Sequence, residues 1–169
     1  MILPIYVEPQ PVLHKETAPI EEITPEILAL AENMRTTMHN AQGIGLAAPQ
    51  VGQLVSMCVV ELEAGDRDEE GFPFMALINP RITWKSLKKV PFSEACLSIP
   101  GVEGIVYRPE KVRVKAKNLQ GQDIEIRADG LLARVLQHEI DHLHGVLFTS
   151  YVSKKQLQER PLVEYPQIK

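Results

Sequence analysis

Three side chains within five residues carry the strongest chemical signal in this chain: His138, Glu139 and His142, spaced as H-E-x-x-H. On a helix, residues four apart lie on one face, one turn above the other. Two imidazoles so placed can hold one metal ion, and the carboxylate beside the first can handle a proton of water activated there. Leu131, Val135, His138 and His142 fall at i, i+4, i+7 and i+11, so the candidate metal stripe is also a buried stripe. Leu132, Leu136, Ile140 and Leu143 form a second apolar row beside it. A helix apolar over so much of its circumference belongs in the interior. The same spacing also arises by coincidence on ordinary core helices, and the test is whether the chain supplies a third ligand.

A catalytic site of this kind uses three protein ligands and leaves one position open. A histidine six residues beyond the second would fall on Phe148, which cannot ligate. The downstream glutamates, Glu159 and Glu164, flank Pro161 in a stretch too short for a further helix. Cys96 is the best remaining candidate. Its thiolate binds borderline metals strongly, and a cation beside it favours the deprotonated form. Alone, Cys96 also reads as an ordinary buried thiol, as does Cys58, the other cysteine.

These residues need a scaffold, and composition limits what it can be. A chain of 169 residues suits one domain with a sizeable core. A hydrophobic share of 44% beside 24% charged residues is that of an ordinary globular protein. The net charge of −4 offers no basic footprint for nucleic acid and no polybasic membrane anchor. Aromatics at 5% argue against a base-stacking platform. No apolar run approaches the ~20 residues of a membrane span. The opening MILPIYVEPQPVL lacks a signal pattern, and two cysteines make no disulfide framework, so a reducing cytoplasm is expected.

Residues 1–24 read as an extended arm with one short strand, and His14 as a solvated loop residue. Thr24, Pro25 and Glu26 start a helix that carries Ile27, Leu30, Ala31, Met34 and Met38 and ends before Gly43. GIGLAAPQVG, residues 43–52, is built of small side chains that admit another backbone, or simply turn the chain. Within it only Gln50 has a side chain that both donates and accepts hydrogen bonds. A strand is expected over 54–62, an acidic exposed loop over 64–71, and strands on both sides of Pro80. Cys96 should lie on a strand followed by a Pro-Gly turn. Residues 105–117 alternate as one strand, NLQGQ at 118–122 makes a hairpin, and DIEIRA returns. After the H-E-x-x-H helix, 146–152 reads as a closing strand and SKKQLQER as a short helix stopped by Pro161.

GIGLAAPQ, EACLS and QHEIDHL, in this order, resemble the three motifs of the peptide deformylase family. The likeness runs from about residue 3 to 150 and leaves the tail, 151–169, outside it. The resemblance implies an α+β fold, a single domain over 1–169 with mixed and antiparallel strands around a central helix carrying H-E-x-x-H. It implies a hydrolase that removes the formyl group from the N-terminal formyl-methionine of new polypeptides, releasing formate. Cys96, His138 and His142 would hold one divalent metal ion, Fe(II) natively in many members, with zinc, nickel or cobalt able to replace it. Glu139 would act as general base and then acid, with Gln50 and the Leu97 N–H donating to the formyl oxygen. Gly43, Ile44 and Gly45 would wall the peptide backbone, and Ile44, Leu131 and Val135 would line the methionine pocket. The implied partners are formyl-methionine peptides and nascent chains, with transient proximity to the ribosome. Two other readings stay open: a metallopeptidase of another H-E-x-x-H class, and a catalytically weak paralogue that binds formyl-peptides. Formate release separates them.

The chain departs from the family pattern in three places. Ala95 stands where the middle motif usually has glycine, which costs about 1 kcal/mol if that residue needs a positive φ. Glu103 stands where many bacterial members carry an arginine that helps hold the substrate. A carboxylate cannot donate to a peptide carbonyl, so a preference for peptides with a basic residue or free polar groups is expected. Pro161 and Pro166 forbid the long carboxy-terminal helix of other members, which puts tail-mediated ribosome docking in question. Asp141 points away from the histidine face and is expected to pair with Arg108, whereas His144 should be a surface residue.

Overall fold

The computed structural model describes residues 1–65 and 70–168, so 66–69 of the expected acidic loop lie outside the described residues. Two apolar stripes become two helices: α1, Pro25–Asn40, and α2, Gly130–Leu143. Pro25 occupies the first turn of α1, where its missing N–H costs nothing. The end of α2 is closed by Val146 N–H on Asp141 O at 3.0 Å and Gly145 N–H on His142 O at 3.2 Å. That Schellman pairing needs a left-handed residue, and Gly145 supplies it with φ 70. Gly145 is also where the amino-terminal arm passes, since a Cβ there would lie 2.6 Å from the His14 carbonyl carbon.

The described strands are β1 (Ile5–Tyr6), β2 (Gly45–Ala47), β3 (Met57–Leu62), β4 (Phe72–Lys85), β5 (Lys89–Cys96), β6 (Ile99–Pro109), β7 (Lys111–Lys117), β8 (Asp123–Asp129), β9 (Gln158–Glu159) and β10 (Gln167–Ile168). An antiparallel sheet has the order β2-β3-β4-β7-β8, a second has β5-β6-β9, and β1 pairs with β10 in parallel. The apolar run over residues 57–60 of β3, ahead of Glu61, follows from burial on both sides. Met57 and Val59 meet Met34 and Met38 of α1 in one core cluster. Cys58 and Val60 meet Leu136 and Ile140 of α2 in another. Across α2 lies the β5–β6 hairpin, tied on by Arg134, which donates to Val106 O and Val90 O at 2.9 and 2.7 Å. The helix bearing H-E-x-x-H thus lies between the two larger sheets, and the α+β expectation holds.

Several local expectations are corrected. Residues 105–117 are two strands, because the chain leaves the second sheet at Pro109 and enters the first at Lys111. Alternation continues through the change of partners, so periodicity alone cannot detect it. Pro100 and Gly101 lie inside β6, and the turn after Cys96 is Leu97–Ser98. Residues 148–150 form a 3-10 turn in place of a closing strand. In SKKQLQER only Lys154–Gln156 is helical, as a 3-10 turn, and β9 follows at once. β4 runs through Pro80 as one strand, with its register shifted between Ile78 and Arg81. Asn79 takes a positive φ of 50 there, and its amide both accepts from Ile20 N and donates to Ile20 O. No helix among the described residues is long and apolar enough to cross a membrane.

Candidate metal centre

Cys96 ends β5, and α2 presents His138 and His142 on the face opposite it. The cysteine sulfur and one nitrogen of each histidine lie within 4.8 Å of one another. Cys96 Sγ is 3.3 Å from His142 Nε2, and the imidazoles meet edge to face with centroids 5.0 Å apart. All three residues are buried. Glu94 engages His138 Nδ1 at 2.9 Å, which leaves Nε2 for the cluster. Two further atoms, Glu139 Oε2 and His142 Nδ1, are buried with no hydrogen-bond partner among the described residues. Orphaned polar atoms beside a thiol and two imidazoles fit a site made to hold an ion that is borderline in softness.

Glu94 organises the surroundings. Arg108 grips it with two bonds, Nε to Oε2 at 2.6 Å and Nη2 to Oε1 at 3.0 Å, and Arg134 Nη1 adds a third at 2.8 Å. Burial alone would raise the Glu94 pKa, but hydrogen bonds from His138 and Arg108 outweigh it and hold the carboxyl at about 2. Arg108 Nη1 also reaches Asp141 Oδ2 at 2.7 Å, the pairing expected from sequence. Burial opposes charge on His138, yet the Cys96 sulfur and Glu94 prevail and raise its pKa well above the usual value. His142, buried beside it, is pushed well below and stays neutral. Burial also pushes Glu139 up to about 7.

Gln50 sits in a 3-10 turn, Ala48–Val51, directly after β2. Ala47 N–H donates to its Oε1 at 2.9 Å, which turns its NH₂ toward Ser98 Oγ at 3.1 Å and Cys96 Sγ at 3.6 Å. Gly45, in β2, lies against Glu139: a Cβ there would collide with Oε1 and come within 2.9 Å of Val135 Cγ1. A Cβ on Gly43 would lie 2.9 Å from Leu97 Cδ1. The cavity they share, about 480 Å³, is lined also by Ile44, Leu131 and Glu103. Every candidate site residue therefore falls on one cavity, except the fully buried His142 behind it. Ala95 is not among the described residues with positive φ, so it carries no conformational penalty. His144 is exposed and bonds Glu16 at 2.6 Å.

Glu94 and Arg134 were not anticipated, although both were discoverable. Glu94 lies two residues before Cys96 on a strand and so shares its face, and Arg134 is four before His138 on the helix.

The model of the polypeptide deformylase family matches residues 2–158. A peptide deformylase of Salinibacter ruber is 48% identical over 172 residues, covering 97% of this chain and 88% of that protein. A peptide deformylase from Synechococcus elongatus, crystallised in complex with actinonin, superposes with a TM-score of 0.83 at 40% identity, covering 90% of this chain and 80% of that one. The Met-Ala-Ser-bound class I type b enzyme of Acinetobacter baumannii gives 0.86 at 33% identity, over 90% of this chain and 99% of its own. A match this long, with relatives this similar over most of their length, means that the chain belongs to the polypeptide deformylase family of metal-dependent hydrolases.

Proposed function

We propose that this chain hydrolyses the formamide of N-terminal formyl-methionine on newly made polypeptides in the cytoplasm, releasing formate. One observation carries the reading: Cys96, His138 and His142 converge beside Glu139, whose Oε2 is buried without a hydrogen-bond partner among the described residues. These three residues would hold one divalent ion, Fe(II) natively, with zinc, nickel or cobalt as replacements. When bound, such an ion supplies Lewis acidity, polarising the formyl oxygen and making water acidic enough to attack at neutral pH.

The protein's own groups do the rest. Glu139, held near neutrality by burial, accepts a proton from the attacking water and passes one to the departing amine. Gln50 Nε2 and the Leu97 N–H donate to the formyl oxygen as its charge grows; the Ala47 bond fixes the Gln50 amide the right way round. The free edge of β2 offers backbone groups along which a peptide can lie as an added strand, and Gly43, Ile44 and Gly45 keep that edge clear. Ile44, Leu131 and Val135 supply apolar wall for the methionine thioether. The Acinetobacter baumannii relative was crystallised with Met-Ala-Ser bound, which supports a peptide beginning with methionine as the ligand.

The test is formate release from formyl-Met-Ala-Ser by protein loaded anaerobically with Fe(II) or with Ni(II). Glu139→Ala should keep its metal and lose about 10²–10⁴ in kcat. Retained turnover in that variant would refute the assigned proton chemistry, and peptide cleavage without formate would point to a peptidase.

A further inference from the structure

The turn that follows Cys96 is held by both ends of the chain. Glu8 N–H donates to Ser98 O at 2.9 Å, and Tyr165 Oη donates to Leu97 O at 2.5 Å. Leu97 O belongs to the Leu97–Ser98 peptide group, whose N–H lies 3.4 Å from Cys96 Sγ. In a trans peptide the C=O and N–H point in opposite directions, so this one group joins the tail phenol to the ligand sulfur. A donor on an amide oxygen polarises the amide and strengthens its N–H as a donor in turn. Burial pushes the Tyr165 phenol up to about 12, so it stays protonated at any working pH.

The tail is built to keep the phenol there. β9 pairs with β6 at Val102 and Glu103, Arg160 N–H bonds Gly101 O at 3.0 Å, and β10 pairs with β1. The Tyr165 ring packs on the cluster that includes Met38 and Leu46, and Val163 and Tyr165 line the same cavity as Glu139.

We propose that Tyr165 is a positioning residue of the metal centre, acting through the Leu97–Ser98 peptide on the Cys96 sulfur and on the Leu97 backbone. The proposal rests on reading Cys96 as a thiolate ligand. A thiolate that accepts a firmer hydrogen bond gives less electron density to the metal, which sharpens Lewis acidity and slows oxidation of the sulfur.

The experiment uses the full chain loaded with Co(II), whose sulfur-to-metal absorption reports on the thiolate directly. Tyr165→Phe keeps the ring and removes the donor. It should move that band to longer wavelength at unchanged cobalt stoichiometry, with kcat down about three- to tenfold and KM unchanged. Placing 3-fluorotyrosine at position 165, a more acidic phenol, should move the band the other way, and this arm stands even if Tyr165→Phe folds poorly. An unmoved band with unchanged kcat in both overturns the proposal, as does a change seen only in Tyr165→Ala, which would reflect lost packing. If the wild-type band is missing, or survives Cys96→Ser, then the ligand reading itself fails and the proposal falls with it.

Discussion

At position 45 a single hydrogen in place of a methyl decides whether Glu139 can occupy its place. Gly45→Ala would force the Glu139 carboxylate and Val135 aside, both in close contact with the new Cβ. The expected result is unchanged metal content with kcat/KM down at least about tenfold, read by formate release and metal analysis. Glu94 acts at one remove, orienting His138. Glu94→Gln should weaken metal affinity by about 10–100-fold in chelator competition. It should also alter acid stability in the metal-free protein. The Glu94 pKa is about 2 when folded against an ordinary 4.5, so its contribution is fully present above about 4.5 and is lost as pH falls through about 2. That shift corresponds to on the order of 3 kcal/mol. Urea melts at pH 6 and pH 3 should show wild type losing stability that Glu94→Gln never had; equal pH dependence would rule this out. Cys96, His138, His142 and Glu139 were legible because short motifs name them. Spacing could place Glu94 beside Cys96 and Arg134 beside His138, but not their meeting with Arg108, which needs a strand, its hairpin partner and a helix to come together.

At the scale of elements, what could be read was what is local. Both helices announced themselves by spacing and by Pro25 and Gly145 at their ends, and the β7–β8 hairpin by its turn residues. The division of 105–117 between two sheets was hidden, since Val106 and Val112 are both inward-facing members of one continuous alternation. The β5–β6 register pairs Ala95 with Glu103, which places Glu103 on the cavity wall beyond Cys96. A negative group there should favour peptides whose residues after methionine are basic. Glu103→Arg should reverse the preference between lysine- and glutamate-containing formyl-Met peptides; indistinguishable kcat/KM ratios for the two enzymes would remove the idea.

For the molecule as a whole, α2 is held by packing on both faces, and its His138 and His142 face Cys96 of β5. An ion that binds only the folded chain stabilises it by about 4 kcal/mol at a thousandfold excess over Kd. Thermal melts of Ni(II)-loaded protein before and after a strong chelator should therefore differ by several degrees, and an unchanged Tm would mean that no tight site exists. The least legible feature was the tail, whose prolines correctly excluded a long helix but gave no hint that the chain returns to its own beginning. Tyr6 and Ile168 are paired although almost the whole sequence separates them. During translation the first of these strands leaves the ribosome long before the second. At about 5–20 residues per second, the interval is roughly 8–32 s. Through that interval the Cys96 turn has its Glu8 partner available but not its Tyr165 one, so the turn is braced from one side only. Thiol labelling of Cys96 on ribosome-arrested chains of increasing length should drop once residues 165–168 have cleared the exit tunnel, and labelling that stays level across that point would sink the idea.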